Sequence, residues 1–189
     1  VVIRAFRPAA AAVRAIPASG DAIDLEQIHP GGVFEGIIEG AELPLAYKLE
    51  ADYGESGVIT IEYPYRFLPT VGELDLHLVG EGRHEEMWEK LGAHVRELEG
   101  VRGTSFAVWA PSARGVRVKG SFNSWDGREH PMRQLGTSGV WELFVPDVGT
   151  GTGYKFAVLG PDGQWREKAD PMAFHTEDPP ATSSVVFDS

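Results

Sequence analysis

Residues 105–119, SFAVWAPSARGVRVK, restate residues 2–16, VIRAFRPAAAAVRAI, at an offset of 103. In that alignment Pro8, Ala10, Val13 and Arg14 match Pro111, Ala113, Val116 and Arg117, and Phe6 faces Trp109. Further along the chain the offset becomes 107. Gly32-Val33-Phe34-Glu35 then matches Gly139-Val140-Trp141-Glu142, Tyr47-Lys48-Leu49 matches Tyr154-Lys155-Phe156, and Pro64 and Phe67 match Pro171 and Phe174. Four blocks in one order, with a single change of offset, mark two copies of one supersecondary unit.

Each block carries the period of a half-buried strand. Phe106 and Val108 alternate with Ala107 and Trp109, and Val116 and Val118 with Arg117 and Lys119; Trp141, Leu143 and Val145 share a face, as do Tyr154, Phe156 and Val158. Gly, Pro, Asn and Asp clusters punctuate them at Ala110-Pro111-Ser112, Asn123 to Gly127, Gly149 to Gly153 and Pro161-Asp162-Gly163. Short strands at this spacing predict an all-β chain of two tandem immunoglobulin-like β-sandwiches. One stretch has helical spacing, residues 83–98, where Met87, Leu91, Val95 and Leu98 recur at three and four. Gly92 interrupts it at a cost of about 1 kcal/mol. The expected organisation is a first sandwich over 1–75, a short helical connector over 76–103 and a second sandwich over 104–189. Trp109 and Trp141 face aromatics in the other copy and are expected in the core.

The formal charge of −11 argues against nucleic acid and anionic membrane surfaces, both of which are bound through Lys and Arg. A neutral polysaccharide meets no such penalty. The chain has no cysteine, which removes disulfides, thiolate metal sites and cysteine nucleophiles and fits a reducing, cytoplasmic setting. No apolar run reaches the length of a membrane helix, arginines inside VVIRAFRPAAAAVRAI argue against a secretory signal, and the missing initiator Met points to a trimmed or internal segment.

The copies differ where chemistry would sit. The four extra residues of the second copy fall between Lys119 and Gly139, an interval containing GSFNSWDG at 120–127. Trp125 faces Ala22 or Ala18 in the first copy and Trp165 faces Val58, whereas Lys155 has Lys48 opposite. Trp125 lies among turn residues, so its indole is a surface candidate. A flat indole suits the C–H face of a pyranose, and Lys155 supplies donors for hydroxyls. Asn123 joins Trp125, Lys155 and Trp165 as a carbohydrate-binding candidate. The same two indoles could instead cap the sandwich or pack on a neighbouring domain.

Other chemistry finds little support. His84 and His94 sit about 80° apart on a helix, and no third or fourth ligand converges with them, so no metal site is expected. Gly149-Thr150-Gly151-Thr152-Gly153 lies between strands, which makes it a hairpin loop and not a phosphate cradle. Glu26, Glu35, Asp75, Glu142 and Asp170 lie in unrelated elements, so no catalytic pair and no cofactor are expected.

WAPSARGVRVKGSFNSWDGREHPM, GVWELFVP, GYKF, KADPMAF and PATSSVV together resemble carbohydrate-binding module family 48, the module preceding the barrel in glycoside hydrolase family 13 enzymes acting on α-1,6 branch points. YPYRFLPTVGELDLHLVGEGRHEEMWEKLGAH is similar to the connector of bacterial glycogen branching enzymes, and HPGGVFEG with the FRP block resembles their extra first module. The resemblance implies a non-catalytic N-terminal part that binds α-glucan and packs on its own catalytic barrel, where the retaining carboxylates reside. It also implies that Trp125, Lys155 and Trp165 contact sugar. Thr182 or Ser183 stands where some glycogen-binding relatives carry Asn. The competing expectation is a stand-alone glycogen-binding or immunoglobulin-like interaction module.

Overall fold

The computed structural model describes residues 1–188. The chain divides into two compact units, Val1–Leu68 and Pro69–Ser189. The first unit holds β1 (Val2–Phe6), β2 (Ala12–Pro17), β3 (Ile23–His29), β4 (Val33–Ile37), β5 (Tyr47–Asp52) and β6 (Val58–Glu62), joined antiparallel in the order β1-β4-β3-β2-β5-β6. β3 pairs with β2 through Ile23–Leu25 and with β4 from Glu26 onward, with a bulge between Gln27 and His29. The change of partner between Leu25 and Glu26 lets the strand serve two layers. Ile3, Ala5 and Phe34 from one layer and Val13, Ala15, Leu49 and Ala51 from the other meet in a single buried cluster, the sandwich core.

The second unit holds α1 (Glu73–Gly80), β7 (Gly92–Leu98), β8 (Val101–Trp109), β9 (Gly115–Gly120), β10 (Arg133–Gln134), β11 (Val140–Pro146), β12 (Gly153–Leu159), β13 (Trp165–Lys168), β14 (His175–Thr176) and β15 (Ser184–Val185). One sheet has the order β10-β11-β8-β7. In the other, β12 pairs with β9 along one edge and with β13 and β15 along the other. Phe106, Leu143, Val116, Val118, Tyr154 and Phe156 are buried, and the rings of Phe106, Tyr154 and Phe156 meet edge-on. Burying each such side chain contributes roughly 1.5–3 kcal/mol.

The internal repeat holds at the level of strand register. Phe6 pairs with Val33 as Trp109 pairs with Val140, and Asp52 with Val58 as Leu159 with Trp165. Glu26 opposite Glu35 recurs as Arg133 opposite Glu142. The β2–β3 ladder shrinks in the second unit to one bridge, Arg117 to Pro131, which matches Arg14 to Asp24. The extra residues of the second copy therefore lie between Gly120 and Pro131 and replace a tight connection with a loop.

Two expectations are corrected. Residues 83–98 are not helical. Met87–Glu89 form a single 3₁₀ turn, and Gly92–Leu98 is β7, paired along its length with β8. Gly92 has φ +100°, which no right-handed helix accommodates, and a Cβ there would come within 3.1 Å of the Met172 carbonyl oxygen. Glu99 and Gly100 both have positive φ, the geometry of a two-residue hairpin turn. The helix of this region is α1, with Glu73 and Asp75 in its first turn, where carboxylates offset the helix dipole. Trp109 is the second correction. It is half exposed at the end of β8, with its indole N–H donating to the Ser138 carbonyl oxygen at 3.2 Å, whereas Trp141 is buried.

The segment carrying α1 explains why β8 and β11 are buried on both faces. Val71, Val79 and Leu91 pack with Ala107, Leu135 and Val140 over the sheet face turned away from the sandwich core. Glu142, fully buried on that face, accepts hydrogen bonds from Arg133 Nε at 2.9 Å and from Thr70 N and Oγ1 at 3.3 and 3.2 Å. His84 Nε2 lies 2.9 Å from Asp75 Oδ1.

Candidate functional site

Alternation along β9, β12 and β13 sends Val116, Val118, Tyr154 and Phe156 inward. Arg117 and Lys119, Lys155 and Ala157, and Trp165 and Glu167 lie on the other face of this sheet. Trp125 reaches the same face from the loop after β9. Its indole Cζ2 lies 3.7 Å from where a Cβ of Gly153 would stand, so the start of β12 offers it a flat seat. At the other end of β12, Trp165 pairs with Leu159 and sets its Cη2 3.5 Å from the Cβ position of Gly115. Gly153 and Leu159 are six residues apart, or about 20 Å of strand. The two indoles border one open cleft of about 390 Å³ lined also by Arg117, Lys119, Ala157 and Glu167. Trp125 is 39% exposed and Trp165 42%. Both indoles reach the surface, Trp125 from a loop and Trp165 from the first position of β13.

The loop that carries Trp125 is built around Asn123. Its Oδ1 accepts from Gly120 N at 2.9 Å, and its Nδ2 donates to the Val118 carbonyl oxygen at 3.1 Å and lies 3.0 Å from His130 Nδ1. Asn123 thus ties both ends of the loop together and has little amide left for a ligand. Phe122 anchors the loop by stacking on Phe106, ring centroids 5.9 Å apart. Ser124 and Trp125 take φ +54° and +60° in succession, a conformation costing roughly 1–2 kcal/mol per non-glycine residue. Backbone bonds from Trp125 N to the Gly120 oxygen (2.8 Å) and from Asp126 N to the Asn123 oxygen (2.9 Å) hold it there. Strain of this kind persists only where the surrounding bonds over-determine the pose.

Lys155 is partly covered; its Nζ donates to Thr182 Oγ1 at 2.7 Å and lies 3.9 Å from Glu167. Of the two polar residues near the last strand, Thr182 is exposed and Ser183 buried. Lys119 hydrogen-bonds Glu167 and holds its carboxyl below the ordinary value. Arg128 does the same to Asp126 through contacts of 2.6–3.1 Å, lowering it to about 2. One face of Trp165 is already occupied, since the Arg117 guanidinium stands 4.1 Å above the ring. Arg117 and Lys119 were visible in the sequence as outward positions, but nothing there joined them, or Glu167, to the two tryptophans.

Four of the five carboxylates weighed as catalysts are committed elsewhere, and Glu26 lies opposite Glu35 across the β3–β4 pair. Glu35 pairs with Arg4, Asp75 with His84, Glu142 with Arg133, and Asp170 accepts the Tyr154 hydroxyl proton at 2.5 Å.

Residues 90–173 match the model of carbohydrate-binding module 48 (isoamylase N-terminal domain), and residues 1–65 match the N-terminal domain of the alpha-1,4-glucan branching enzyme GlgB. The whole chain is 57% identical over 189 residues to the 1,4-alpha-glucan branching enzyme GlgB of Myxococcus xanthus and 56% identical over 195 residues to that of Frankia casuarinae. The chain belongs to the N-terminal region of the glycogen branching-enzyme family. It spans about a quarter of the length of those relatives, 26% and 23% respectively. Among solved structures, a pullulanase complexed with maltotriose from Anoxybacillus is 21% identical with a TM-score of 0.45, covering 94% of this chain and 24% of that one. Within the branching-enzyme region, the cleft described above lies on the family 48 module, and both tryptophans fall inside residues 90–173. No helix among the described residues is long and apolar enough to cross a membrane.

Proposed function

We propose that this chain is the glucan-binding, non-catalytic part of a cytoplasmic 1,4-α-glucan branching enzyme, an enzyme that cuts an α-1,4 linkage and transfers the released segment to a C6 hydroxyl. The chain holds α-glucan on the outward face of the β9-β12-β13 sheet, while a catalytic barrel elsewhere in the enzyme performs the transfer and packs against these modules. The observation that carries this proposal is the placement of two partly exposed indoles at opposite ends of β12 on one face, with Lys155 between them. Trp125 offers a ring to stack on a pyranose, Trp165 offers the side Arg117 leaves open, and Lys155 and Thr182 supply polar contacts. Asn123 acts by positioning Trp125. A stand-alone interaction module is less well supported, because the whole chain aligns with the branching enzymes. Electrophoresis in gels containing glycogen tests the proposal. The parent chain is retarded, Trp125→Ala loses most of the retardation, and Val58→Ala in the first unit changes nothing; equal mobility of the Trp125→Ala variant and the parent overturns it.

A further inference from the structure

The two units treat one arginine differently. In the first unit Arg14 is neutralised from both neighbouring strands, by Asp24 at 2.9 Å and by Glu50 at 3.5 Å. Its repeat partner Arg117 has the same strand neighbours in register, but the two acidic positions are occupied by Pro131 and Ala157. Among the described residues Arg117 forms no ion pair; its guanidinium lies on the Trp165 indole instead. The other cations of the cleft are engaged, Lys119 with Glu167, Arg128 with Asp126 and Arg166 with Asp162.

Arg117 is also held in place. Gly127 crosses its stem so closely that a Cβ there would lie 2.9 Å from Arg117 Cβ and 3.6 Å from Cδ, and the indole supports the far end. A guanidinium that rests over an aromatic ring in place of a carboxylate keeps N–H donors for an oxyanion, which it can take in a bidentate manner. Four cations and two carboxylates line this cleft, in a chain whose formal charge is −11. A purely neutral ligand gives no reason for a local surplus of positive charge in so acidic a protein.

We propose that Arg117 is an anion subsite within the glucan cleft, and that the cleft prefers α-glucan bearing phosphate monoesters over unmodified glucan. This rests on the glucan reading of the same face and adds a substrate class to it. The first unit serves as the internal control, since Glu50 at the position of Ala157 shows how the subsite is closed.

Calorimetric titration of the 189-residue chain tests it, with maltoheptaose and maltoheptaose carrying one phosphate monoester as probes. At low salt the phosphorylated probe binds about five to ten times more tightly, and the ratio falls towards one at high salt, because the added contact is ionic. Ala157→Glu, which restores the carboxylate of the first unit, and Arg117→Gln each bring the ratio to about one. Equal affinity of the parent chain for both probes overturns the anion subsite while leaving glucan binding standing. A preference that survives both substitutions removes Arg117 from it. Absence of binding to either probe overturns the glucan reading and the subsite together.

Discussion

Gly153 lies beneath the indole of Trp125, and a Cβ at Gly153 would meet Cζ2 at 3.7 Å and Cη2 at 3.8 Å. That is ordinary van der Waals contact, so the seat tolerates one carbon and no more. Gly153→Ala is expected to keep glucan affinity within about twofold, and Gly153→Leu to lower it about tenfold by tilting the ring. Calorimetric titration with maltoheptaose measures both.

The Trp125 loop depends on Asn123, which holds Gly120 N and the Val118 carbonyl oxygen at once. Asn123→Ala removes these two bonds and the contact with His130 Nδ1, and is expected to lower stability by about 2–3 kcal/mol. It should weaken glucan binding more than that loss alone implies, because Ser124 and Trp125 are then free to leave their strained backbone pose. Asn123→Asp, which keeps the acceptor and loses the donor, falls between the two. Thermal melts paired with binding isotherms separate the effects.

Glu142 is a buried carboxylate whose charge is met by Arg133 across the β10–β11 pair. Arg133→Ala is expected to cost about 3 kcal/mol, because it strands that charge in the core. Arg133→Met combined with Glu142→Leu should recover most of the loss, since an apolar pair needs no desolvation of charge. Urea denaturation gives both values.

Burial raises the pKa of Asp170 above its ordinary value, against the lowering effect of the Tyr154 hydroxyl that donates to it. Between the ordinary and the raised value, the folded chain keeps a proton that the unfolded chain has released. Stability contributed by this group therefore declines as pH rises through that window. Asp170→Asn is expected to flatten this slope relative to the parent, read from urea midpoints between pH 4 and pH 7.

The strands were legible because alternation and repetition agreed. Where Val116 and Val118 alternate with Arg117 and Lys119, β9 and its two faces follow directly; the pairing of Arg117 with Pro131 and Ala157, which repeats that of Arg14 with Asp24 and Glu50, needed the fold. The connector was misread because Met87, Leu91, Val95 and Leu98 have helical spacing by coincidence. The stronger signal was Glu99-Gly100 between two runs of strand-forming residues, a hairpin turn that pairs β7 with β8. The true helix was hidden for the opposite reason, since Leu74, Leu76 and Leu78 alternate as a strand would while α1 buries Val79 against the sheet. Trp109 was placed in the core by analogy with Phe6, although its parity with Ala107 sets it on the outer face, where the cover provided by Val71 and Val79 ends. In the site, sequence comparison found both tryptophans as features the first copy lacks. It did not find that Arg117 lies on one of them, because a ring contact between β9 and β13 depends on the fold.

The central claim is that α-glucan rests on Trp125 and Trp165, and indole N–H resonances report on it one tryptophan at a time. The chain has five tryptophans, so a titration with maltoheptaose followed by ¹H–¹⁵N correlation spectra gives five assignable signals. The expected result is movement of the Trp125 and Trp165 signals along one binding isotherm while those of Trp88, Trp109 and Trp141 stay in place. Movement confined to Trp88 or Trp109, or five stationary signals at millimolar glucan, would contradict it.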